Sequence, residues 1–479
     1  MGPLASAASA ALLLIAPFDQ ALVSPSSCLS HSFYGNYRSS LNTYQSVFLP
    51  DTACLNSFTD SNLAGEAHLT QITRHESAQR LVWIEKEAVE ASLINAEKGS
   101  MDGFFKHFGT VDVPGIERQK TLSLPSHPSY ELLYQTPDAL LVSVPQEEVY
   151  GIDLILPRFW KSTILPPSPV NYIPVPPEAV EPIRKVLSKL RFNPDVAAIV
   201  NNISIAQMKS DIRYLTGEDG KSGIVSRHSF TPGAIQAAEW IKAQVEKSGA
   251  ECELWTFMYG ITPNVICRYK STVPSDTRVI ISGHYDSRGS FGSTRAPGGD
   301  DDGSGTTSIL AISRVIARKR LRFHTNVELI AFGGEEQGRL GSIAYARKLR
   351  ETGEKVALIV QADMLAYRSP EEPLQLGLPE TIGTPEATQL VANISEIYSP
   401  ELTIGYSAAC CSDHQSFHDL GYPGTQVFER AGPIADPFYH NSGDLSDRDG
   451  YSFEQLYAIS KVQFATLLHT AGFELPRKH

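Results

Sequence analysis

Residues 278–287 read RVIISGHYDS, a short apolar run that passes into a glycine, a histidine and an aspartate. Two later apolar runs end in a similar way: 326–332 is followed by GGEE, and 355–361 is followed by Ala362 and Asp363. Apolar runs of this length beside glycine or polar residues are typical of buried strands. We therefore predict three strands that all end in acidic or histidine side chains.

Helical segments alternate with these strands. Pro232 near the start of one segment and Gly249 just beyond its end follow the usual asymmetry of helix termini. Strands that alternate with helices form mostly parallel sheets with helices on both faces, so we predict an α/β fold with a mostly parallel, mixed sheet. The predicted helices are 232–247, 304–318, 340–350, 385–398 and 453–470, with a further strand over 425–429.

The carboxyl ends of parallel strands meet at one edge of a sheet, and ligands bind there. The loop 298–305, GGDDDGSG, and a loop with His440 and Asp444 are expected at the same edge. Two histidines and several carboxylates without nearby paired cysteines favour a catalytic zinc site. More carboxylates than one ion needs indicate two ions with a bridging carboxylate. Asp286, two residues after His284, fits a carboxylate that orients the imidazole.

Each of these patterns by itself has an ordinary explanation. The aspartates 300–302 could form a solvated acidic loop, the glutamates 335–336 an exposed pair, and Asp363 a turn or helix cap. Their joint occurrence at successive strand ends makes coincidence improbable and favours a metal site. Within the glutamate pair, one residue can bind metal while its neighbour takes a proton from water.

Residues 205–473 resemble the co-catalytic di-zinc exopeptidases. This family includes secreted bacterial and fungal leucine aminopeptidases, and glutamate carboxypeptidase and glutaminyl cyclase are relatives. The matching motifs are 283–287, 299–305, 331–342, 361–364, 412–414 and 440–444. The resemblance implies the zinc-dependent exopeptidase fold, two Zn²⁺ ions as cofactors, and hydrolysis of a terminal peptide bond by water held between the ions.

The resemblance also implies a role for individual residues. It makes Glu335 the general base and acid, and it makes Asp286 the support of His284. It implies a cis peptide bond between Asp301 and Asp302. Five residues would bind metal: His284 and Asp363 the first zinc ion, Glu336 and His440 the second, and Asp301 both.

One segment departs from the family pattern. Related secreted aminopeptidases carry Cys-x-Tyr-x-Cys just before Ser-Asp-His, and the tyrosine helps to polarise the substrate carbonyl. Here the second cysteine is Cys411, while Ser407 and Ala409 stand at the positions of the first cysteine and the tyrosine. We expect Tyr406 to supply the hydroxyl from a shifted position and Ser412 to contact the substrate.

The chain has 479 residues, a length that suggests two or three domains. An apolar run over 4–17 is too short to span a bilayer and fits the core of a signal peptide, so we predict a signal peptide over 1–23. A buried N-terminal helix is the alternative interpretation. A proline-rich stretch predicts an extended linker over 164–190, and residues 191–479 form the predicted catalytic domain.

Residues 24–163 carry no catalytic cluster and predict a smaller α+β domain, with a helix over 78–98 and strands within 130–156. In secreted proteases such a domain is often a prosegment that assists folding or blocks the site. We expect processing between about Ile164 and Asn202. A permanent accessory domain is the alternative.

The six cysteines follow a predicted signal peptide and therefore allow disulfides. Cys252 and Cys267 lie in two alternating runs and could face each other on neighbouring strands. Cys28 with Cys54 is the second expected pair. A bridge between the adjacent cysteines at 410–411 would be strained, and some of these residues could instead be buried thiols.

Charge excludes two classes of partner. The formal net charge is −12 and the sequence has no long basic run, which argues against nucleic acid and against an anionic membrane surface. Sequons at Asn202 and Asn393 permit glycosylation in a secreted protein.

These features predict a secreted, monomeric zinc aminopeptidase for peptides with a free N-terminus, with a preference for apolar first residues such as leucine. The prosegment is an expected inhibitor or folding aid. A carboxypeptidase or dipeptidase of the same family is the first alternative, and it needs basic residues near the site. Glutaminyl cyclase works with one zinc ion, and the full ligand set argues against it. A non-catalytic binding module, from a different class, would have lost ligands.

Overall fold

The protein forms two compact units in a computed structural model that describes residues 9–40, 43–57, 67–74, 79–96, 130–290, 293–409 and 411–476. The first unit comprises Met1–Glu87 and Glu97–Tyr172. The second comprises Ala88–Ala96 and Ile173–His479.

The first unit is built on two four-stranded antiparallel sheets. The strands β1 (Ser9–Pro17), β2 (Phe33–Ser40), β3 (Thr43–Phe48) and β4 (His68–Arg74) pair in the order β2-β3-β1-β4. The strands β5 (Gln79–Lys86), β6 (Glu131–Gln135), β7 (Ala139–Pro145) and β8 (Trp160–Ile164) pair in the order β6-β7-β5-β8. Among its described residues, the helical elements are α1 (Thr52–Ser57) and two 3₁₀ helices, Cys28–Ser32 and Val149–Ile155.

The apolar run that we interpreted as a signal peptide is an inner strand of the first sheet. β1 pairs with β3 on one side and β4 on the other, and Leu13 and Leu14 are fully buried. The alternative of a helix is wrong, because these residues form a strand. The signal peptide over 1–23 stays a prediction, and its cleavage would remove β1 from the sheet. A short apolar run suits a leader and a buried strand equally well, so only its pairing partners distinguish them. Residues 1–8 lie outside the described part of the chain.

The helix predicted over 78–98 is wrong for its first half. Residues Gln79–Lys86 form β5, an inner strand paired with β7 and β8, in which Val82, Trp83 and Ile84 are all fully buried. The helical part is α2 (Ala91–Ala96), which belongs to the second unit. A run of consecutive apolar residues fits a strand buried on both faces as well as a helix, and the sheet decides between them.

The linker predicted over 164–190 is helical in its second half. Residues Pro177–Lys189 form α3, with Pro177 in the first turn, where the missing N–H has no intrahelical partner to lose. Val180 and Ile183 on this helix are buried. The longer segment of the second unit thus begins at Ile173, inside the proline-rich stretch.

The second unit contains a six-stranded sheet in the order β17-β14-β11-β13-β10-β9. β17, β14, β11 and β13 run parallel to one another, and β10 runs antiparallel to both of its neighbours, β13 and β9, so the predicted mostly parallel, mixed sheet is confirmed. The strands β12 with β18 and β15 with β16 form two separate two-stranded sheets. The strands of the second unit are β9 (Glu251–Trp255), β10 (Asn264–Tyr269), β11 (Thr277–His284), β12 (Arg322–Phe323), β13 (Asn326–Phe332), β14 (Lys355–Ala362), β15 (Gln375–Pro379), β16 (Thr403–Ser407), β17 (Gly424–Val427) and β18 (Phe473–Glu474).

Helices cover both faces of this sheet. Its strands alternate between two apolar cores: Val279 and Ile281 of β11 point to the larger one, and Ile280 between them points to the other. The helices are α4 (Pro194–Val200), α5 (Ile205–Leu215), α6 (Pro232–Glu246), α7 (Gly303–Lys319), α8 (Leu340–Glu351), α9 (Pro385–Tyr398), α10 (His414–His418) and α11 (Phe453–Ala471). None of the helices that the structure describes is long and apolar enough to cross a membrane.

Two of the expected disulfides are present. Cys252 and Cys267 stand directly opposite each other in the β9–β10 ladder and are bonded, and Cys28 is bonded to Cys54. Cys411 is also disulfide-bonded, whereas Cys410 lies outside the described residues.

Candidate metal centre

The five predicted metal ligands lie together at the carboxyl edge of the parallel strands. His284 is the last residue of β11, Asp363 follows β14 directly, and Glu336 follows β13 after a short turn. Asp301 comes from the loop before α7, and His440 from the loop after β17. Because neighbouring parallel strands end at the same edge, positions far apart in sequence become neighbours in space.

Asp301 lies between the two histidines. Its Oδ1 is 3.3 Å from Nε2 of His284, and its Oδ2 is 3.3 Å from Nε2 of His440. Burial would raise the pKa of Asp301, but the two imidazoles hold it well below its usual value. One carboxylate oxygen therefore faces each histidine, as a bridging ligand requires.

The outer ligands complete two groups of donors. Asp363 Oδ1 is 3.6 Å from Nε2 of His284, and Glu336 Oε2 is 3.0 Å from Nε2 of His440. Burial and the nearby Arg288 cation lower the pKa of His440, but Glu336 and Asp301 outweigh them and raise it to about 9.

The donor set fits divalent metal ions. Oε1 of Glu336 is buried and has no hydrogen-bond partner among the described residues, and burial raises the pKa of this carboxyl. A buried carboxylate is costly unless a cation or a hydrogen bond compensates it. Imidazole nitrogens with carboxylates are the ligands of catalytic zinc, so these residues could hold such ions.

Asp286 connects the two halves of the centre. Its carboxylate accepts hydrogen bonds from the backbone N–H of Glu335 at 3.2 Å and of Glu336 at 3.1 Å. Nδ1 of His284 lies 3.2 Å from the main-chain carbonyl of Asp286 and 3.6 Å from its carboxylate. The backbone carbonyl thus orients the imidazole, and the carboxylate fixes the turn that presents both glutamates.

Asp302 is a residue of the site that the sequence analysis gave no role. Its carboxylate accepts from the backbone N–H groups of His284 (2.9 Å), Gly305 (2.7 Å) and Met364 (3.2 Å), and it caps the N-terminus of α7. The bond between Asp301 and Asp302 is cis, as the resemblance implies. An aspartate just before a glycine-rich helix start is a recognisable capping signal, so this role could have been predicted.

Asp444 and Arg227 form hydrogen bonds with the backbone of the 298–305 loop, which carries Asp301. Asp444 accepts from the backbone N–H of Asp300 and of Asp301, each at 3.0 Å. Arg227 is fully buried and donates to the carbonyls of Tyr285 and Gly298, each at 2.7 Å. No local pattern identifies Arg227, because its partners are backbone carbonyls brought in by tertiary contacts.

The two predicted substrate contacts lie in different surroundings. Ser412 is buried, and its hydroxyl accepts a hydrogen bond from Nε2 of Gln361 at 3.1 Å. Tyr406 lies on β16, in a separate two-stranded sheet with β15, and is 64% exposed. Its predicted role therefore depends on the approach of a substrate rather than on a contact within the centre.

Residues 264–462 match the family model of peptidase family M28. This is the stretch that runs from β10 into α11 and carries all five predicted ligands. The second unit carries a domain of peptidase family M28. The resemblance to this peptidase family is thereby confirmed, and together with the leucine aminopeptidase relatives the match indicates a metallo-aminopeptidase hydrolase.

Curated proteins that this chain is similar to carry aminopeptidase names. A probable leucine aminopeptidase of Arthroderma otae is 29% identical over 269 residues, which cover 52% of this chain and 68% of that protein. Leucine aminopeptidase 1 of Sclerotinia sclerotiorum is 28% identical over 287 residues, 54% of this chain and 70% of that protein. Leucine aminopeptidase 1 of Chaetomium globosum is 31% identical over 264 residues, 50% of this chain and 61% of that protein.

Solved structures support the fold. The chain is similar to the LapA aminopeptidase of Legionella pneumophila with a TM-score of 0.57 and 16% identity, over 84% of this chain and 100% of that chain. LapB from the same organism gives a TM-score of 0.57 and 16% identity, over 82% of this chain and 100% of that chain.

Proposed function

We propose that this protein is a secreted zinc aminopeptidase that removes the N-terminal residue of peptides with the help of two zinc ions. The observation that carries the proposal is Asp301, with one oxygen 3.3 Å from Nε2 of His284 and the other 3.3 Å from Nε2 of His440. His284, Asp301 and Asp363 would hold the first ion. Asp301, Glu336 and His440 would hold the second.

Bound zinc at these positions supplies Lewis-acid polarisation of the scissile carbonyl and a water molecule of lowered pKa. Glu335 is the proposed general base. It is almost fully buried, follows β13 next to the ligand Glu336, and its backbone is fixed by Asp286. Glu335 would take a proton from the attacking water and deliver it to the leaving amine nitrogen. Asp286 holds the backbone of Glu335 in place through its hydrogen bond to the N–H.

The residues at the carboxyl edge of the parallel strands would also select the substrate. The free α-amino group of the substrate would bind a zinc ion as a neutral amine or would pair, as an ammonium, with a carboxylate of the site, and either contact would favour the N-terminal end of a peptide. Names of the relatives, leucine aminopeptidase in each case above, support a preference for apolar first residues such as leucine. Tyr406 and Ser412 are the proposed substrate contacts.

Secretion is supported by cysteine usage. Bridges such as Cys28–Cys54 and Cys252–Cys267 persist in oxidising compartments. We also propose that the chain acts as a monomer, that the sequons at Asn202 and Asn393 are glycosylated, and that the first unit inhibits the enzyme or assists its folding.

The proposal is tested with a peptide whose N-terminal residue is leucine and with the N-acetylated form of the same peptide, each with and without a zinc chelator. We expect amino-acid release from the free peptide only, abolished by the chelator and restored by added zinc. Glu335→Gln is the matched control, because it should keep the metal and lose turnover.

Other outcomes would contradict the proposal in distinct ways. Release of the C-terminal residue would favour a carboxypeptidase, and equal cleavage of both peptides would favour an endopeptidase. Absence of any release from a protein that contains zinc by elemental analysis would favour a binding module or a cyclase.

A further inference from the structure

We propose that Arg448 is a positioning residue of the metal centre, which fixes the loops of His440 and Asp301 through two buried aspartates, Asp436 and Asp444. The inference rests on the proposed function in that His440 and Asp301 are taken as metal ligands. The guanidinium of Arg448 donates to the two aspartates, so its effect on the ligands passes through them.

The guanidinium binds both ends of the segment that carries His440. Nη1 and Nη2 of Arg448 donate to the two carboxylate oxygens of Asp436 at 2.9 and 2.5 Å, and Nη2 also donates to Oδ1 of Asp444 at 3.0 Å. A bidentate pair fixes the direction of its partner as well as the distance. His440 lies midway between the two aspartates in sequence, so one side chain holds the backbone on both sides of it.

The backbone at His440 needs such support. Its φ is +50°, in the left-handed region, which residues other than glycine adopt rarely and keep only where the surrounding structure enforces it. The N–H of Phe438 donates at 2.8 Å to Oδ1 of Asp436, the same oxygen that Nη1 of Arg448 binds. The pair between Arg448 and Asp436 therefore also fixes the turn that leads into His440.

Asp444 connects Arg448 to the backbone of the predicted bridging ligand. Its Oδ1 accepts from Arg448, and its Oδ2 accepts from the N–H of Asp301 at 3.0 Å. Oδ2 of Asp301 in turn lies 3.3 Å from Nε2 of His440. One guanidinium thus holds the two loops whose side chains meet at the second group of donors.

The surroundings of Arg448 hold its charge in this position. Its side chain is 5% exposed, and both aspartates are buried as well. Its Cζ lies 5.0 Å from the ring centre of Phe438, 5.7 Å from that of Tyr367 and 5.8 Å from that of Tyr451. Aromatic rings at these distances attract a cation, and buried carboxylates need a paired cation. Arg448 meets both requirements.

The first test measures amide hydrogen exchange in the metal-free full chain. Arg448→Lys keeps the charge but replaces the planar fork by a single ammonium group, which cannot bind both aspartates in this way. The N–H groups of Phe438 and Asp301 donate to those aspartates. We expect both to exchange about tenfold faster or more, because hydrogen bonds to charged acceptors contribute strongly to local stability.

The second test measures zinc affinity against a chromogenic chelator. Arg448→Lys should bind zinc about 10–100-fold more weakly, which is the usual effect of changing a group that orients a metal ligand. At saturating zinc, kcat and kcat/KM for a peptide substrate should fall together while KM stays unchanged. A buried guanidinium that is paired with two aspartates acts on the ligands and not on substrate binding.

Arg314→Lys is the matched control. Arg314 of α7 also forms a two-armed pair with a buried aspartate, Asp211 of α5: Nη1 donates to Oδ2, and Nη2 donates to Oδ1 at 2.8 Å. Neither residue of this pair belongs to the loops of the predicted ligands. We expect Arg314→Lys to leave zinc affinity and the exchange at Phe438 and Asp301 unchanged.

A folded Arg448→Lys variant with native exchange at both N–H groups and native zinc affinity would overturn the inference. Equal losses in Arg314→Lys would also overturn it, because they would then reflect general destabilisation. If circular dichroism shows that Arg448→Lys does not fold, Asp436→Asn decides by the same two measurements. It keeps an acceptor for the N–H of Phe438 and loses one oxygen of the pair.

Failure of the proposed function is a separate result. A native chain that binds zinc but releases no amino acid from a peptide would contradict the proposed function alone. The exchange and affinity measurements would still decide the role of Arg448.

Discussion

The adjacent residues Glu335 and Glu336, which follow β13, have different proposed roles in this site. Oε2 of Glu336 lies 3.0 Å from Nε2 of His440, whereas its neighbour Glu335 belongs to neither group of candidate metal ligands. Successive residues in an extended or turning backbone point in different directions, so two neighbours can serve metal and water separately. Asp286 keeps that division fixed, because it accepts from both backbone N–H groups.

We expect Glu335→Gln to lower kcat by about 10²–10⁴-fold, the usual contribution of a general base. The amide cannot take a proton from water, and it leaves the donor groups intact. Elemental analysis should therefore find the zinc content unchanged, while Glu336→Gln should lower the zinc content as well as kcat. A Glu335→Gln variant with native turnover would remove this residue from the mechanism.

His414 makes the stability of the fold sensitive to acid. It is fully buried in α10, burial lowers its pKa to about 3, and its Nε2 lies 3.0 Å from the carbonyl of Ile382. Between about pH 6.5 and pH 3 the unfolded chain binds a proton that the folded chain excludes. At His414 the free energy of unfolding therefore carries no proton penalty above about pH 6.5. Below that pH it falls by up to about 1.4 kcal/mol per pH unit.

We expect His414→Gln, which keeps a donor for Ile382, to remove this dependence. Denaturant titrations should measure the free energies of unfolding of the native chain and of the variant. The native value minus the variant value should become smaller as the pH falls from about 7 to about 4. His31→Gln, at an exposed histidine, is the control. A difference that stays constant with pH would contradict the prediction.

Among the elements, the strands and helices of the second unit follow their sequence patterns closely. The predicted elements 326–332 and 385–398 coincide with β13 and α9, because each is bounded by glycine, proline or polar residues that stop it. The strands β1 and β5 were not predicted. Their consecutive apolar residues carry no period that separates strand from helix, and only pairing in a sheet decides.

A short segment from upstream of the proline-rich stretch belongs to the M28 unit. The N–H of Glu90 donates to the carbonyl of Ile434 at 2.8 Å, and the N–H of Ile434 donates to the carbonyl of Ala88 at 2.8 Å. Val89 and Ile434 form a parallel bridge, and Glu90 lies 3.8 Å from Arg430. The loop that this segment holds leads from β17 to the predicted ligand His440.

Glu90→Pro removes one of these donors and should loosen the 430–436 loop, since proline has no N–H. We expect faster amide hydrogen exchange at Ile434 and its neighbours and weaker zinc retention. Glu90→Ala keeps the N–H, loses only the partly exposed ion pair and is the control. Equal exchange in both variants would show that the backbone pairing does not stabilise the loop.

At the scale of the whole molecule, the position of β1 bears on processing. β1 lies between β3 and β4, and its residues Leu13 and Ile15 share an apolar core with Trp83 of β5. A chain that begins at Ser24 should therefore lose the first sheet and expose this core. This truncation should lower the free energy of unfolding, because several apolar side chains lose their burial, at about 1.5–3 kcal/mol each.

We expect limited proteolysis to cut the Ser24 chain rapidly upstream of Tyr172, while a chain that begins at Ser9 resists as the full chain does. N-terminal sequencing of secreted material tests the same point in vivo. If the Ser24 chain is as resistant as the Ser9 chain, residues 1–23 are dispensable and the signal-peptide interpretation stands.

The sequence by itself determined the α/β class and the order of the catalytic strands. It also placed the chemically active residues at strand ends, because apolar runs and the polar residues that stop them are local properties of the chain. The candidate acids and histidines could be located in the same way, because they follow buried apolar runs, whereas their assignment as metal ligands came from the resemblance to the di-zinc exopeptidases. The disulfide partners Cys252 and Cys267 could be expected because they occupy two neighbouring runs.

Tertiary structure alone decided the features that depend on contacts between distant segments. It made strands of β1 and β5, brought Arg288 to the ring of His440, and joined Glu90 to Ile434. Each of these contacts joins backbone or side-chain groups far apart in sequence, and neither partner carries a local pattern that names the other. A buried hydrogen bond is specified by which groups meet in the folded chain, and the physical reason is that burial obliges every polar group to find a partner wherever the fold supplies one.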